Sequence, residues 1–212
     1  MKLPNKRRAL LLACAVALQL FVALSLLLYT ARVRGYAEKR GRVISLACMA
    51  YDPFSPFKGR YVRLTFGQSQ VPGEGLDDES VELAKSGGNK KVYCRMQEGA
   101  DGLWTVTALR ERLPQDGAVY IEATCLYCSY DYDADEKPLR TVRLKYAFDE
   151  YYMQEDYARY VDGIHWDDFN ALEPVLSLYV AKDGRCIQQG LTVLDAGDRI
   201  SIEDYCRRKL GK

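Results

Sequence analysis

Residues 51–66 read YDPFSPFKGRYVRLTF, and they predict an ordered loop that runs into a half-buried strand. Pro53 and Pro56 fix their own φ angles and hold the preceding residues in extended geometry, so the loop is expected to be non-helical. Gly59 then permits a turn conformation that is closed to most other residues. A strand directly after this turn indicates a body built on β-structure.

The strand itself is recognised by its alternation of side chains. Val62, Leu64 and Phe66 fall on one side of an extended chain, and polar residues fall between them. This is the pattern of a strand with one buried face. Leu64 is therefore expected in the core, whereas the ring of Tyr61 shares the side of Arg63 and should cover the outer face of the sheet.

Four positions of this stretch are similar to the signature of a known family. They are Gly59, Tyr61, Leu64 and Phe66. The signature is that of the GDYXXLXY family, which comprises bacterial membrane-anchored proteins of uncharacterised function. Arg60 stands where the family name has Asp, and Phe66 stands where it has Tyr. The resemblance implies an exported body, and the Arg60 departure weakens a catalytic role for the family Asp.

An apolar segment near the N-terminus predicts a membrane anchor. Residues 9–29 contain no charged side chain, and a helix of that length reaches roughly 30 Å, the thickness of the hydrocarbon core of a bilayer. A buried core helix and a cleaved signal peptide are the alternatives. The signal peptide is disfavoured because its apolar core is usually only ~7–15 residues long, and residues 30–32 make a poor cleavage site.

Charge is unevenly distributed along the chain. Of its 30 basic and 29 acidic residues, residues 1–42 hold nine basic and one acidic, which leaves a net charge of −7 for the remainder. An acidic body argues against nucleic acid as a partner. Basic residues flank the apolar segment on both sides, so the positive-inside rule does not decide the topology.

The cysteines favour an oxidising compartment for the body. Six of them follow the apolar segment, an even number that would allow disulfides: Cys48, Cys94, Cys125, Cys128, Cys186 and Cys206. Together with the family resemblance, this predicts a single-pass protein of the cell membrane with a cytoplasmic N-terminus and an extracytoplasmic body.

Periodicity and turn signals predict a β-rich α+β body after a charged linker at residues 31–42. Strands are expected at 42–51, 61–66, 119–130 and 141–148, hairpins at 91–109 and 175–194, a loop at 67–75, and helices at 77–85, 150–161, 165–172 and 201–210, with an extended start at 151–152 as an alternative for the helix at 150–161.

Short matching strings suggest that the body is a tandem repeat. Residues 62–64 and 142–144 both read Val-Arg-Leu, at an offset of 80, and Asp-Gly recurs at 101–102 and 183–184, at an offset of 82. The predicted units are residues 43–115 and residues 116–212, each a strand, loop, strand, helix and hairpin, with a further helix at the C-terminus. The alternative is one meandering sheet with coincidental matches.

Two residue patterns raise the hypothesis of an enzyme. Cys125 and Cys128 have the spacing of a redox pair, but their apolar surroundings predict a strand rather than the helix N-terminus that lowers a thiol pKa. In a regular strand they point to opposite faces, so they should not be bonded to each other. Cys48 is the first candidate partner for Cys128, because the offset of 80 relates the two. His165 could serve a hydrolase, yet it has no nucleophile motif near it.

No cofactor is expected, because the residues that suggest metal binding form incomplete sets. The acidic residues at 131–135 copy only the first positions of a calcium loop. We therefore expect a non-enzymatic binding or assembly module. Its expected partners are the membrane, through the N-terminal helix, and a membrane or envelope protein. The alternatives are a thiol–disulfide oxidoreductase that uses Cys125 and Cys128, and an anchored hydrolase that uses His165.

Overall fold

The computed structural model describes residues 5–50, 61–130 and 139–211, which belong to two separate units. The first unit is a long helix, α1 (Asn5–Arg40). Its segment Leu12–Arg32 is long and apolar enough to cross a membrane, three residues further along the chain than the predicted segment at 9–29. Large apolar side chains such as Leu20 and Phe21 are exposed on this helix. The helix also continues through most of the segment predicted as a linker.

The second unit is the body, which begins at Gly41 and is α+β and rich in strands, as predicted. Its strands are β1 (Arg42–Ala50), β2 (Tyr61–Phe66), β3 (Gln70–Pro72), β4 (Lys90–Glu98), β5 (Trp104–Arg110), β6 (Val119–Tyr130), β7 (Leu139–Lys145), β8 (Glu150–Tyr152), β9 (Val175–Val180), β10 (Cys186–Asp195) and β11 (Asp198–Ser201). Its helices are α2 (Asp78–Lys85), α3 (Glu155–Asp162), α4 (Trp166–Asn170) and α5 (Ile202–Leu210).

These strands form two antiparallel sheets around a shared core. The first sheet has the order β11-β10-β9-β1-β2-β8, and the second has the order β3-β7-β6-β4-β5. Leu46 and Leu176 of the first sheet and Val92 and Ile121 of the second are fully buried in one hydrophobic cluster. Burial of these apolar faces is the main driving force that holds the two sheets together.

The two sheets have matching strand orders. The counterparts in the two halves of the chain are β1 and β6, β2 and β7, β3 and β8, β4 and β9, and β5 and β10. When each strand is replaced by its counterpart, the order β10-β9-β1-β2-β8 of the first sheet becomes the order β5-β4-β6-β7-β3 of the second. The first half thus contributes β1 and β2 to the first sheet but β4 and β5 to the second. The central pairings, β1 with β9 and β4 with β6, join strands from different halves.

The registers of these pairings also correspond. Cys94 lies opposite Leu109 in the β4–β5 hairpin, and Leu176 lies opposite Leu191 in the β9–β10 hairpin. Each residue of the second pair is 82 positions after the corresponding residue of the first pair. Both hairpins contain a β-bulge, and the extra residue is Thr107 in one and Gln189 in the other, again 82 residues apart.

The edge strands follow the same rule. Val62 lies opposite Tyr151 between β2 and β8, and Val142 lies opposite Val71 between β7 and β3. Val142 is 80 residues after Val62, and Tyr151 is 80 residues after Val71. The two Val-Arg-Leu strings of the sequence therefore occupy matching places in the two sheets.

Strand β2 buries the side chains that its alternation predicts. Val62, Leu64 and Phe66 are at most 2% exposed, and Arg63 is exposed. Tyr61, which the alternation places on the side of Arg63, is nevertheless buried, at 3% exposure, and its ring centroid lies 5.6 Å from that of Tyr152 on the neighbouring strand.

The short edge strands were not predicted as strands. β3 lies within the expected loop at 67–75. β8 contains residues 151–152, which agrees with the alternative of an extended start to the helix expected at 150–161, and α3 begins only at Glu155. Pro72 and the three-residue length of these strands leave no readable alternation, and pairing with a neighbour makes them extended. The predicted loop at 51–57, Gly59, Arg60 and the acidic residues at 131–135 lie outside the described residues.

Candidate functional site

Strands β2 and β7 line an open groove between the two sheets, with a volume of about 530 Å³. Residues 63–66 lie on one side and residues 143–146 on the other, at the constant offset of 80. The backbone of Leu64 joins this region to the β7–β8 connection, because its N–H donates to the carbonyl oxygen of Asp149 at 2.7 Å. The groove therefore lies where the matching strands of the two sheets meet.

The charges that line the groove are mostly positive. Arg63, Arg143 and Lys145 contribute cations, and Asp149 contributes one carboxylate. Within the part of the chain that the structure describes, no carboxylate forms an ion pair with any of these three cations. The described lining of the groove therefore carries more positive than negative charge.

A second hollow of about 360 Å³ extends the groove along the second sheet. It shares Gln70 and Arg143 with the first and adds Arg140 and Tyr127. Gln70 and Tyr127 both lie directly opposite Arg143, on the strands to either side of β7. Tyr127 is 59% exposed. The two hollows thus form one trough lined by arginine, lysine, tyrosine and amide groups.

An aromatic cluster supports the groove from the core. Phe66 and Tyr146 line the groove and meet edge to face with ring centroids 5.8 Å apart, and Phe148 stacks on Tyr146 at 5.0 Å. The hydroxyl of Tyr146 donates to the carbonyl oxygen of Gln68 at 2.8 Å, and burial raises the pKa of Tyr146 well above its ordinary value. Such aromatic packing holds the two walls in fixed positions.

Comparison with known proteins identifies the family of this chain. A family model described as "GDYXXLXY protein" matches residues 23–191, which is most of the sequence. The chain belongs to the GDYXXLXY family. Comparison with curated proteins and with solved structures finds no match.

The GDYXXLXY signature strand forms one wall of the groove. Leu64 and Phe66 line it, and Tyr61 is buried at the start of the same strand. Sequence reasoning assigned these residues structural roles but missed the groove, since Arg143, Lys145 and Gln70 come close to the signature only through the pairing of strands that are distant in sequence.

The geometry of Cys125 and Cys128 differs from the prediction. The register shifts between Cys125 and Tyr127, because Leu126 is an extra residue, so both cysteines point to the same face of β6 rather than to opposite faces. Both are nevertheless free thiols, as are all the cysteines of this structure. Cys128 Sγ lies 3.2 Å from the Tyr130 hydroxyl, and burial raises the pKa of Cys125. A raised pKa disfavours the thiolate that redox catalysis requires.

Cys48 is not the counterpart of Cys128. Leu46 lies opposite Leu176, and Ile121 lies opposite Cys94. Because Cys94 and Leu176 occupy matching places in their hairpins, Leu46 corresponds to Ile121, and the offset between β1 and β6 is 75 rather than 80. Cys48 therefore matches Ala123. Its thiol donates to the carbonyl oxygen of Pro174 at 3.3 Å, and burial raises its pKa to about 12.

The remaining cysteines of the body are buried or half-buried thiols. Burial raises the pKa of Cys94 strongly, of Cys186 to about 12 and of Cys206 to about 11. Thiols in such apolar surroundings behave as small hydrophobic side chains.

His165 has a local structural role. It precedes α4 as its N-cap, where Nδ1 accepts from the backbone N–H of Asp167 at 3.4 Å, and its side chain is 63% exposed. Its ring contacts that of Trp166 with centroids 5.6 Å apart. No hydroxyl or thiol donates to it among the described residues, and those residues contain no His, Cys, Asp or Glu cluster that could hold a metal.

Proposed function

We propose that this chain is a single-pass membrane protein whose body binds or assembles with another protein outside the cytoplasm and catalyses no reaction. The observation that carries the proposal is the open, basic groove that the signature strand helps to build. Tyrosine and arginine are enriched where proteins bind each other, and Tyr127 and Arg143 stand directly opposite each other in the groove.

A photoreactive residue tests the binding function directly. We would place benzoylphenylalanine at Tyr127 in one variant and at Trp166 in another. Both side chains are 59% exposed, but only Tyr127 lies in the groove. Irradiation of native membranes should join a second protein to the Tyr127 variant and not to the Trp166 variant. A chain that remains monomeric and unlinked at both positions would contradict the proposal.

The proposed anchor is supported by the length and apolar composition of α1, whereas the proposed topology is supported by the even number of cysteines in the body and by the family resemblance. Membrane-impermeant acylating reagents applied to intact cells should modify Lys85 and Lys90, which are exposed on the body. Lys2 and Lys6 should be modified only after lysis, and recovery of their peptides would show that the N-terminus is retained. Modification of Lys85 only after lysis would place the body in the cytoplasm.

We further propose that the body is a tandem duplication, with units at residues 43–115 and 116–212. The support is the matched strand order of the two sheets, the equal registers of four strand pairings and the β-bulges at Thr107 and Gln189. A bulge interrupts a regular ladder, so its recurrence at matching positions has no origin in general hairpin geometry.

A further inference from the structure

The groove carries an unusual charge for this body. Residues 43–212 carry a net charge of −7, yet the trough gathers Arg63, Arg140, Arg143 and Lys145. The structure describes no ion-pair partner for these four cations.

Many basic side chains elsewhere on the body form ion pairs with carboxylates. Lys91 pairs with Glu122 at 2.7 Å, and Arg159 pairs with Glu155 at 2.9 Å. The groove is thus a place where several cations of the described body lie close together and can meet a partner.

The spacing of the cations selects an extended ligand. Arg143 and Lys145 are two residues apart on β7, so their side chains point to the same side and their Cα atoms are separated by roughly 6.5–7 Å. Alternate side chains of an extended peptide recur at the same distance. Carboxylates at alternate positions can therefore meet both cations at once.

The other lining groups suit a peptide as well. Arginine binds carboxylates with two parallel hydrogen bonds, and Arg63 faces the groove from the opposite wall. The Tyr127 hydroxyl and the Gln70 amide can both donate to peptide carbonyls. Because the groove is open and mixed in polarity, it resembles a surface for a chain segment more than the enclosed, largely apolar site typical of small molecules.

We propose that this groove binds an extended acidic segment of a partner protein, with carboxylates at alternate positions. The inference rests on the proposed binding function and names the chemistry of its partner. A densely charged polyanion fits less well, because Asp149 lines the groove and the acidic body repels it. A few alternate carboxylates meet the cations without that penalty.

The test uses the full-length chain in a nonionic detergent and a fluorescein-labelled heptapeptide that alternates Glu and Ser. Fluorescence anisotropy at low ionic strength should detect binding that weakens as salt is added. A peptide with Gln in place of Glu should not bind, and one with its four Glu residues consecutive should bind more weakly.

Two double variants separate the groove from overall charge. Arg63→Gln with Arg143→Gln should weaken binding by about tenfold or more, because two charge-assisted contacts are lost. Lys90→Gln with Arg112→Gln changes the net charge equally at exposed sites outside the groove and should weaken it less than about twofold. The urea midpoint of each variant verifies that it is folded, and Arg143→Lys should retain part of the affinity.

Several outcomes would overturn the proposal. These are equal losses in both double variants, equal binding of the Glu and Gln peptides, or no binding of the alternating peptide. If phosphatidylglycerol vesicles bind through Arg63 and Arg143 while the peptide does not, the occupant is a lipid headgroup and the proposal is wrong. If Tyr127 captures a partner protein but the peptide does not bind, the binding function stands and the acidic chemistry is wrong.

Discussion

At the scale of single residues, Leu64 connects the signature strand to the core. It is 2% exposed, and Leu64→Ala should lower the free energy of unfolding by ~2–5 kcal/mol, since it loses apolar burial and leaves a cavity. Urea unfolding followed by tryptophan fluorescence measures this, because Trp104 and Trp166, the two tryptophans of the chain, both lie in the body.

The neighbouring residue provides the control. Arg63 is exposed and lies on the face of β2 opposite to that of Leu64. Arg63→Ala should therefore change the free energy of unfolding by less than about 0.5 kcal/mol. Equal effects of the two substitutions would mean that the faces of the strand are reversed.

The burial or exposure of individual side chains could be predicted where the alternation of a regular strand alone decides it. The burial of Val62, Leu64 and Phe66 follows from the period of two in a strand. The same rule failed for Cys125 and Cys128, because the bulge at Leu126 changes the face of every later side chain. No local sequence signal marks this bulge.

At the scale of elements, Asp77 ties the start of α2 to β5. Its side chain accepts from the backbone N–H of Ser80 at 3.0 Å, and Arg110 Nη2 donates to its other oxygen at 2.6 Å. The hydrogen bonds from Arg110 and Ser80 hold the pKa of Asp77 below its ordinary value. The carboxylate therefore stabilises the folded state while it is ionised.

Asp77→Asn isolates that charge, because asparagine also caps helices well. At neutral pH the variant should be less stable by about 1 kcal/mol or less, since the ion pair is exposed to solvent. A lowered pKa in the folded state means that this difference is complete above about pH 4, shrinks as the pH falls below that value, and vanishes below the folded pKa. Urea unfolding of both proteins across the acid range checks this, and a difference independent of pH would contradict it.

The two matching hairpin turns allow a controlled comparison of contacts between elements. Gly102 and Gly184 have φ angles of +77° and +82°, but a Cβ on Gly102 would meet nothing within 4 Å, whereas one on Gly184 would lie 3.2 Å from the ring of Tyr93. The carbonyl oxygen of Gly184 also accepts from the N–H of Glu122 at 2.9 Å, so this turn is packed against the other sheet.

Alanine should therefore have unequal effects at the two glycines. Gly102→Ala should cost about 1–2 kcal/mol from backbone strain alone. Gly184→Ala should cost about 1 kcal/mol more, because Tyr93 has to move. Differential scanning calorimetry of the two variants measures the contrast. Equal melting temperatures would show that the turn does not press on Tyr93.

Most long elements could be predicted from the sequence, whereas the short edge strands could not. Alternating side chains on either side of an Asp-Gly turn predict β4, β5, β9 and β10. β3 and β8 have no such pattern, yet they close the edges of both sheets beside the groove. The site escaped prediction for the same reason, because Gln70 and Arg143 come together only when β3 pairs with β7.

At the scale of the whole molecule, the two halves of the body depend on each other. Strand β1 pairs with β9 and strand β4 pairs with β6, so the centre of each sheet contains strands from both halves. A half on its own keeps the pairings within its hairpins but loses these central ones, and it exposes the apolar faces that form the shared core. Isolated hairpins are only marginally stable in water.

Division of the chain in the exposed connection between β5 and β6 tests this dependence. Residues 1–115 and 116–212, expressed separately, should each lack a cooperative unfolding transition, and coexpression should restore it. Trp104 reports on the first half and Trp166 on the second. A monomeric half that unfolds cooperatively would show that pairing across the halves is dispensable. A half that dimerises with itself would take the missing strands from its own copy, which is the behaviour that duplication of a self-pairing ancestor implies.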